Sequence, residues 1–383
     1  MGNPMIRKSH SIADRMKSID ASGIRKVFDL AARMKDPINF SIGQPDFDVP
    51  EAAKNEAIAA IRRGENKYTQ TQGTAELLQL LAQQCCQEFA WHDPYHGAVF
   101  GDRGYLVTSG VSGALMLALL TLVNPGDEVV FADPYFVMYN HLVSLAGGVP
   151  VPVDTYPSFR PDIQKIADAI TDKTRLLIIN SPANPTGAIY SRQELKDIAE
   201  VAARRDLLVI SDEIYNLFCY DAPFVSMVSV YDNTLLMRGF SKSYAMTGWR
   251  MGWCTGPKPI LDKMTMLQQY SFVCAPSMAQ AAGVVALKAD MSAQAVAYKR
   301  KRDLVYEALG PALGLVKPQG AFYAFVPAPG GDATKFVTKA IENNVLIIPG
   351  NVFSSRDTHF RLSYATTDDK IRQGLDILVK LAK

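Results

Sequence analysis

The sequence predicts an α/β fold, in which a large domain built on a mostly parallel sheet flanked by helices is joined to a smaller α+β domain. Three observations predict it. Leu176–Ile179 and Leu207–Ile210 are continuous apolar runs, the pattern of strands buried on both faces of a sheet. Around them short strand-like runs alternate with segments of helical periodicity, as in parallel units with helices on both sides. From about residue 290 that alternation gives way to a long basic helical segment and several short strands. The expected boundaries are 1–45 for an N-terminal arm and a segment joining the small domain, 46–290 for the large domain and 291–383 for the small one. At 383 residues the chain is long enough for two domains with a sizeable core.

In chain order, residues 1 to about 20 form a polar arm, with no apolar leader in Met1 to Ile12. Val27, Leu30, Ala31 and Met34 recur at helical spacing and predict a helix over 26–34. Asn39–Ile42 is a short strand, broken by Gly43-Gln44-Pro45-Asp46. A helix from Pro50 to Arg63 has an acid first, bases last and Gly64 as its stop, which suits the helix dipole and cap. Tyr68–Gly73 is an irregular loop, and Ala75–Phe89 is helical. Leu106–Thr108 is a strand that enters a small-residue turn, Ser109–Gly113, before the apolar helix Ala114–Val123. A strand, small turn and helix in that order leave backbone N–H groups at a helix N-terminus, where an anion binds well, although small residues there also permit close packing. Strands follow at Glu128–Phe131 and Pro150–Val153, and helices at Tyr135–Leu145, Ile163–Ile170 and Arg192–Arg205. In the last stretch Ala293–Leu309, Val337–Asn344 and Ile371–Ala382 are helices. Leu315-Val316, Ala324–Val326, Val345–Ile348 and Phe360–Leu362 are strands.

Composition excludes several classes. Hydrophobic residues make up 48% and charged residues 20%, with a net charge of +2, too balanced for a nucleic-acid or membrane partner. The five cysteines have no Cys-x-x-Cys spacing, which predicts reduced thiols and a cytoplasmic protein. The five histidines are scattered, so no metal is expected.

Chemistry concentrates in Gly239-Phe240-Ser241-Lys242-Ser243-Tyr244-Ala245-Met246-Thr247-Gly248-Trp249-Arg250, after the apolar strand end Leu235–Met237. A lysine beside another cation and in apolar surroundings loses its proton more easily, and a neutral amine can form an imine with an aldehyde. Asp212, Asn184 and Ser109 also follow predicted strands, where open α/β sheets bind ligands. Taken alone, Asp212 could be a helix N-cap and Asn184-Pro185 a turn.

The lysine string, continued by Met251 and Gly252, resembles the cofactor-lysine segment of the fold-type-I pyridoxal-phosphate (PLP) enzymes, class I/II aminotransferase family. Ser211-Asp212-Glu213-Ile214-Tyr215 and Pro182-Ala183-Asn184-Pro185-Thr186-Gly187 resemble the same family's motifs, in the expected order. The resemblance implies that Lys242 carries PLP as an imine, that Asp212 pairs with the pyridinium nitrogen, and that Tyr215 and Asn184 donate to the phenolate oxygen. It implies a phosphate site made by Ser241, Arg250 and the backbone of Ser109, Gly110 and Val111. Gly239 stands where many relatives carry a serine. Phe136 would stack on the ring, with Tyr135 as its rival if the alignment slips by one. Tyr68 would reach the phosphate of the partner subunit. Arg361, flanked by Phe360 and Leu362, would bind the substrate carboxylate in two-pronged fashion, with Gly43 beside the substrate.

The implied protein is a homodimeric PLP-dependent aminotransferase with shared active sites. It would pass an amino group from an α-amino acid to a 2-oxo acid by a ping-pong route through Lys242. A PLP-dependent β-lyase and a non-catalytic PLP-binding regulator are the alternatives. Ser112 stands where some aspartate-specific relatives carry a lysine, which disfavours a dicarboxylic substrate unless Arg25 substitutes.

Overall fold

The computed structural model describes residues 12–19, 23, 34–89 and 103–383. The large sheet comprises β2 (Arg103–Ser109), β3 (Glu128–Asp133), β4 (Val149–Asp154), β5 (Thr174–Asn180), β6 (Leu208–Asp212), β7 (Thr234–Gly239) and β8 (Met251–Pro257). Its order is β2-β8-β7-β6-β5-β3-β4. Strands β3 to β7 run parallel, and β8 runs antiparallel to both of its neighbours. The apolar runs find the burial they require, since every residue of β6 and β7 is buried. β4 lies at the sheet edge and carries Pro150 and Pro152, which lack the N–H that a central strand must donate. The helix Gly110–Leu122 is apolar on nearly every side and buried accordingly. The helix Arg192–Arg204 begins with a reciprocal capping box between Ser191 and Glu194.

Among the described residues two smaller sheets accompany the large one. β9 (Tyr323–Pro327), β11 (Ile348–Pro349) and β12 (His359–Ser363) form an antiparallel sheet in the order β11-β12-β9. β1 (Ile38–Asn39) pairs in parallel with β10 (Val345–Leu346), so the chain before the large sheet is tied to the C-terminal part. Phe40, Phe322, Phe360, Leu362 and Ile371, all fully buried, fill the core there.

The elements depart from expectation in definite places. Ser109–Gly113 is not a free turn: the helix starts at Gly110, directly after β2. Val345–Ile348 is two strands, because Val345–Leu346 pairs with β1 and Ile348 turns to pair with β12. Leu315-Val316 is no strand, and the strand predicted at Asn39–Ile42 is Ile38–Asn39. The helix expected from Tyr135 starts at Met138. The helix predicted over 26–34 lies outside the described residues except for Met34, as does Arg25.

Candidate active site

Four strands of the large sheet end at one place, and each contributes a group. β6 ends on Asp212, whose register partners are Asn180 at the end of β5 and Met237 in β7. Asp212 is buried; Oδ2 accepts the Tyr139 hydroxyl at 2.7 Å and Oδ1 the N–H of Ile214 at 3.3 Å. Burial pushes its carboxyl up to about 6, against the downward pull of those two donors. Asn180 braces the neighbourhood. Its Nδ2 donates to the Asp212 carbonyl at 2.9 Å, and its Oδ1 accepts the N–H of Asn184 at 2.8 Å.

β7 leads into a single helical turn, Phe240–Ser243, that carries Lys242. Its Nζ donates to the carbonyl of Gly43 at 2.6 Å. Burial, with the charges of Arg361 and Arg250 adding to it, pushes the amine down to about 8, although Asp212 pulls the other way. Gly43 has no room for a side chain, because a Cβ there would strike the hydroxyl of Tyr323. The Tyr323 hydroxyl in turn lies 3.0 Å from that of Tyr215, and both tyrosines are buried.

Arg361 comes from β12 and is 1% exposed. Nη1 donates to Asn184 Oδ1 at 3.1 Å and Nη2 to the Ser41 carbonyl at 2.7 Å. The guanidinium lies 4.6 Å from the ring centres of both Tyr323 and Phe353. Among the described residues its buried Nε has no partner, a donor that a ligand could satisfy.

The other wall is basic and built from backbone. Gly110 opens its helix at φ +67°, and a Cβ there would sit 2.8 Å from Arg250 Nη2. Arg250 itself is left-handed at φ 57° and donates to the carbonyls of Thr247 at 3.0 Å and Ser109 at 3.4 Å. Gly252 of β8 lets that helix start approach closely, since a Cβ would stand 2.6 Å from the amide of Val111.

Val111, Phe136, Asn184, Asp212, Tyr215, Ser241, Lys242 and Arg250 line one pocket. Arg361 and Gly43 join it through Asn184 and Lys242, and Ser109 and Gly110 through Arg250. Phe136, not Tyr135, faces this pocket; Tyr135 packs edge-on against Phe131. A second cavity, apolar, lies behind Phe136 and Asn184, and none of the described residues that line it is charged. Tyr68 is not brought to the pocket of its own chain and is 83% exposed. Its loop is nonetheless firmly held. Gln268 Nε2 donates to the carbonyls of Thr71 at 2.7 Å and Val107 at 3.0 Å, and Gln280 Nε2 donates to Thr69 Oγ1 at 3.0 Å. Sequence reasoning missed Tyr139, Asn180 and Tyr323. Asn180 stood at the head of the Asn-Ser-Pro-Ala-Asn string, and the two tyrosines carried no local signal.

Residues 35–378 match the protein family described as aminotransferase class I and II. The chain belongs to that family. This aminotransferase is 37% identical to the putative aminotransferase YugH of Bacillus subtilis, over 95% of this chain and 96% of that one. It is 36% identical to aromatic-amino-acid aminotransferase 2 of Thermococcus litoralis, over 97% and 98% of the two chains. The solved structure of Thermus thermophilus aspartate aminotransferase with maleate superposes with a TM-score of 0.91 at 33% identity, covering 97% of this chain and 100% of that one. The protein is thus a transaminase of fold type I, a family whose members use PLP, and the β-lyase alternative is not favoured.

Proposed function

We propose that the pocket binds PLP and that Lys242 is its covalent attachment point. The observation that carries this reading is the pairing of Lys242 and Asp212 in one pocket, each shifted toward its neutral form by burial. The donor set fits the cofactor. A buried carboxylate suits the ring nitrogen, the Tyr215 hydroxyl and the Asn184 amide suit the phenolate oxygen, and Phe136 offers an aromatic face. Arg250, Ser241 and the N–H groups at Gly110 and Val111 suit a phosphate dianion at a helix start. When bound, PLP supplies an electron sink for the charge released at the amino-acid α-carbon.

The protein's own groups do the rest. In this reading Lys242, an amine whose pKa of about 8 suits neutral pH, takes a substrate proton and returns it. Arg361 offers paired N–H groups to an α-carboxylate, in a site dry enough to strengthen the pairing. Asp212, held toward ionisation by Tyr139, would keep the ring nitrogen charged.

The substrates in this reading are an α-amino acid and a 2-oxo acid. In this reading Lys242 and Arg250 serve the cofactor and Arg361 the α-carboxylate, and the side-chain preference follows from a donor panel. Tyr68, with the exposed Tyr270, Phe272 and Val273, supports a homodimer in which Tyr68 serves the partner subunit's phosphate. The domain division at 46–290 and 291–383 and a cytoplasmic setting belong to the same reading; no disulfide joins the described cysteines, and among the described residues no helix is long and apolar enough to cross a membrane.

The test is reconstitution. With PLP the protein should turn yellow, and borohydride should fix the label on Lys242. Aspartate, alanine and aromatic donors are then assayed with 2-oxoglutarate and pyruvate. No 2-oxo acid from any donor, or a label on Lys258 or Lys263, sinks the assignment.

A further inference from the structure

Tyr323 stands where three parts of the pocket meet, yet it does not line the pocket. Its hydroxyl faces that of Tyr215 at 3.0 Å, its ring supports the Arg361 guanidinium at 4.6 Å, and Gly43 packs onto its oxygen. Gly43 is the residue whose carbonyl takes the Lys242 ammonium. We propose that Tyr323 is a positioning residue of this aminotransferase: its hydroxyl donates to Tyr215, so that the Tyr215 proton points into the pocket, and its ring fixes Arg361 for an α-carboxylate. This rests on the reading of the pocket as a PLP site and deepens it.

Two phenols in contact share one hydrogen bond, so one donates and the other accepts. If Tyr215 donated to Tyr323, its only proton would be spent inside the wall. If Tyr323 donates, Tyr215 keeps its proton for an oxygen in the pocket, and a hydroxyl that accepts becomes a stronger donor. The surroundings favour the second arrangement. The Arg361 guanidinium lies 4.6 Å from the Tyr323 ring centre, and a cation held that close to one phenol of the pair makes that hydroxyl the better donor. The charged groups facing the pair are Arg361 and Asp212, with Lys242 across the pocket. Arg361 gains as well. A guanidinium held between two aromatic faces keeps its plane, and cation–π attraction is strongest where water is excluded.

A donor to the cofactor's phenolate oxygen stabilises the negative charge that is bare only when the lysine linkage is unprotonated. Weakening that donor therefore raises the pH midpoint of the visible band. The experiment compares wild type, Tyr323→Phe, Tyr323→Leu, Tyr215→Phe and the Tyr323→Phe/Tyr215→Phe double variant, each loaded with PLP. The readouts are the spectral midpoint and the amino-donor affinity from spectral titration. Tyr323→Phe should raise the midpoint by about half a unit or more, in the direction of Tyr215→Phe, with donor affinity within about twofold of wild type. The double variant should match Tyr215→Phe alone, since the relay acts only through Tyr215. Tyr323→Leu should in addition weaken donor binding roughly fivefold or more, because the ring under Arg361 is gone. An unmoved midpoint in Tyr323→Phe, or additive shifts in the double variant, overturns the relay even if Tyr323→Leu fails to fold. A wild-type protein with no visible band overturns the PLP reading itself, which separates the two failures.

Discussion

The hydroxyl of Tyr139 lies 2.7 Å from Oδ2 of Asp212, and both side chains are buried. Burial holds the Tyr139 hydroxyl well above its ordinary value, so it remains a donor and the carboxylate the acceptor. Tyr139→Phe should therefore push the Asp212 carboxyl above its present value of about 6, by roughly one unit if the bond is an ordinary charge-assisted one. The folded-state pKa lies above the unfolded one, so the cofactor-free protein loses stability as pH rises from about 4 to about 6. In Tyr139→Phe that loss should extend to higher pH. Melting temperatures across pH 4 to 8 test it, and an identical shift in an Asp212→Asn background would reject the pairing.

Lys242 has the opposite sign. Its folded pKa of about 8 lies below the ordinary 10.5, so the penalty of a buried ammonium is full below pH 8 and fades as pH rises toward 10.5. Cofactor-free Lys242→Met should be more stable than wild type at pH 7, by roughly 2–4 kcal/mol, and the gap should close at alkaline pH. Denaturant titrations at pH 7 and pH 10.5 measure it; a gap independent of pH removes the buried charge as its cause. The same variant should have no transaminase activity.

Arg361→Lys keeps the charge but loses the fork that reaches Asn184 and the Ser41 carbonyl together. Losing one charge-assisted bond of about 1.5–3 kcal/mol should weaken amino-donor binding roughly tenfold to a hundredfold. Equal affinity across several donors would reject Arg361 as the carboxylate anchor.

Tyr68 offers a test of shared sites. Mixing inactive Lys242→Ala with a strongly impaired Tyr68 variant should give mixed dimers in which one site carries both defects and the other neither. Random exchange yields about half mixed dimers, hence about a quarter of wild-type activity. If Tyr68 serves its own chain, mixing restores nothing.

Much of this was legible in the sequence because it is local. Asp212 and Lys242 stand at the ends of apolar strands, and the parallel strands announce themselves by continuous hydrophobicity. What could not be read depends on packing between distant segments. Tyr139 meets Asp212 across 73 positions and Tyr323 meets Tyr215 across 108, and neither spacing leaves a periodic trace. Val345–Ile348 looks like one strand because its apolar run is unbroken. Only the presence of β1 on one side and β12 on the other divides it. The start of the helix at Gly110 was hidden for a related reason. Small residues permit a turn or a close-packed helix, and Gly252 on a strand more than a hundred residues away decides between them.

The two glutamines under the Tyr68 loop have a consequence for the rate of assembly. Gln268 and Gln280 are fully buried and hold the Thr71 carbonyl and the Thr69 hydroxyl from within the same chain. The conformational entropy of that loop is therefore lost when the subunit folds, not when two subunits meet. For the proposed dimer, encounter would join surfaces already shaped, and association should be limited by orientation instead of loop ordering. Gln268→Ala would move that cost to the encounter itself, slowing subunit association while leaving the contacts of the finished dimer unchanged.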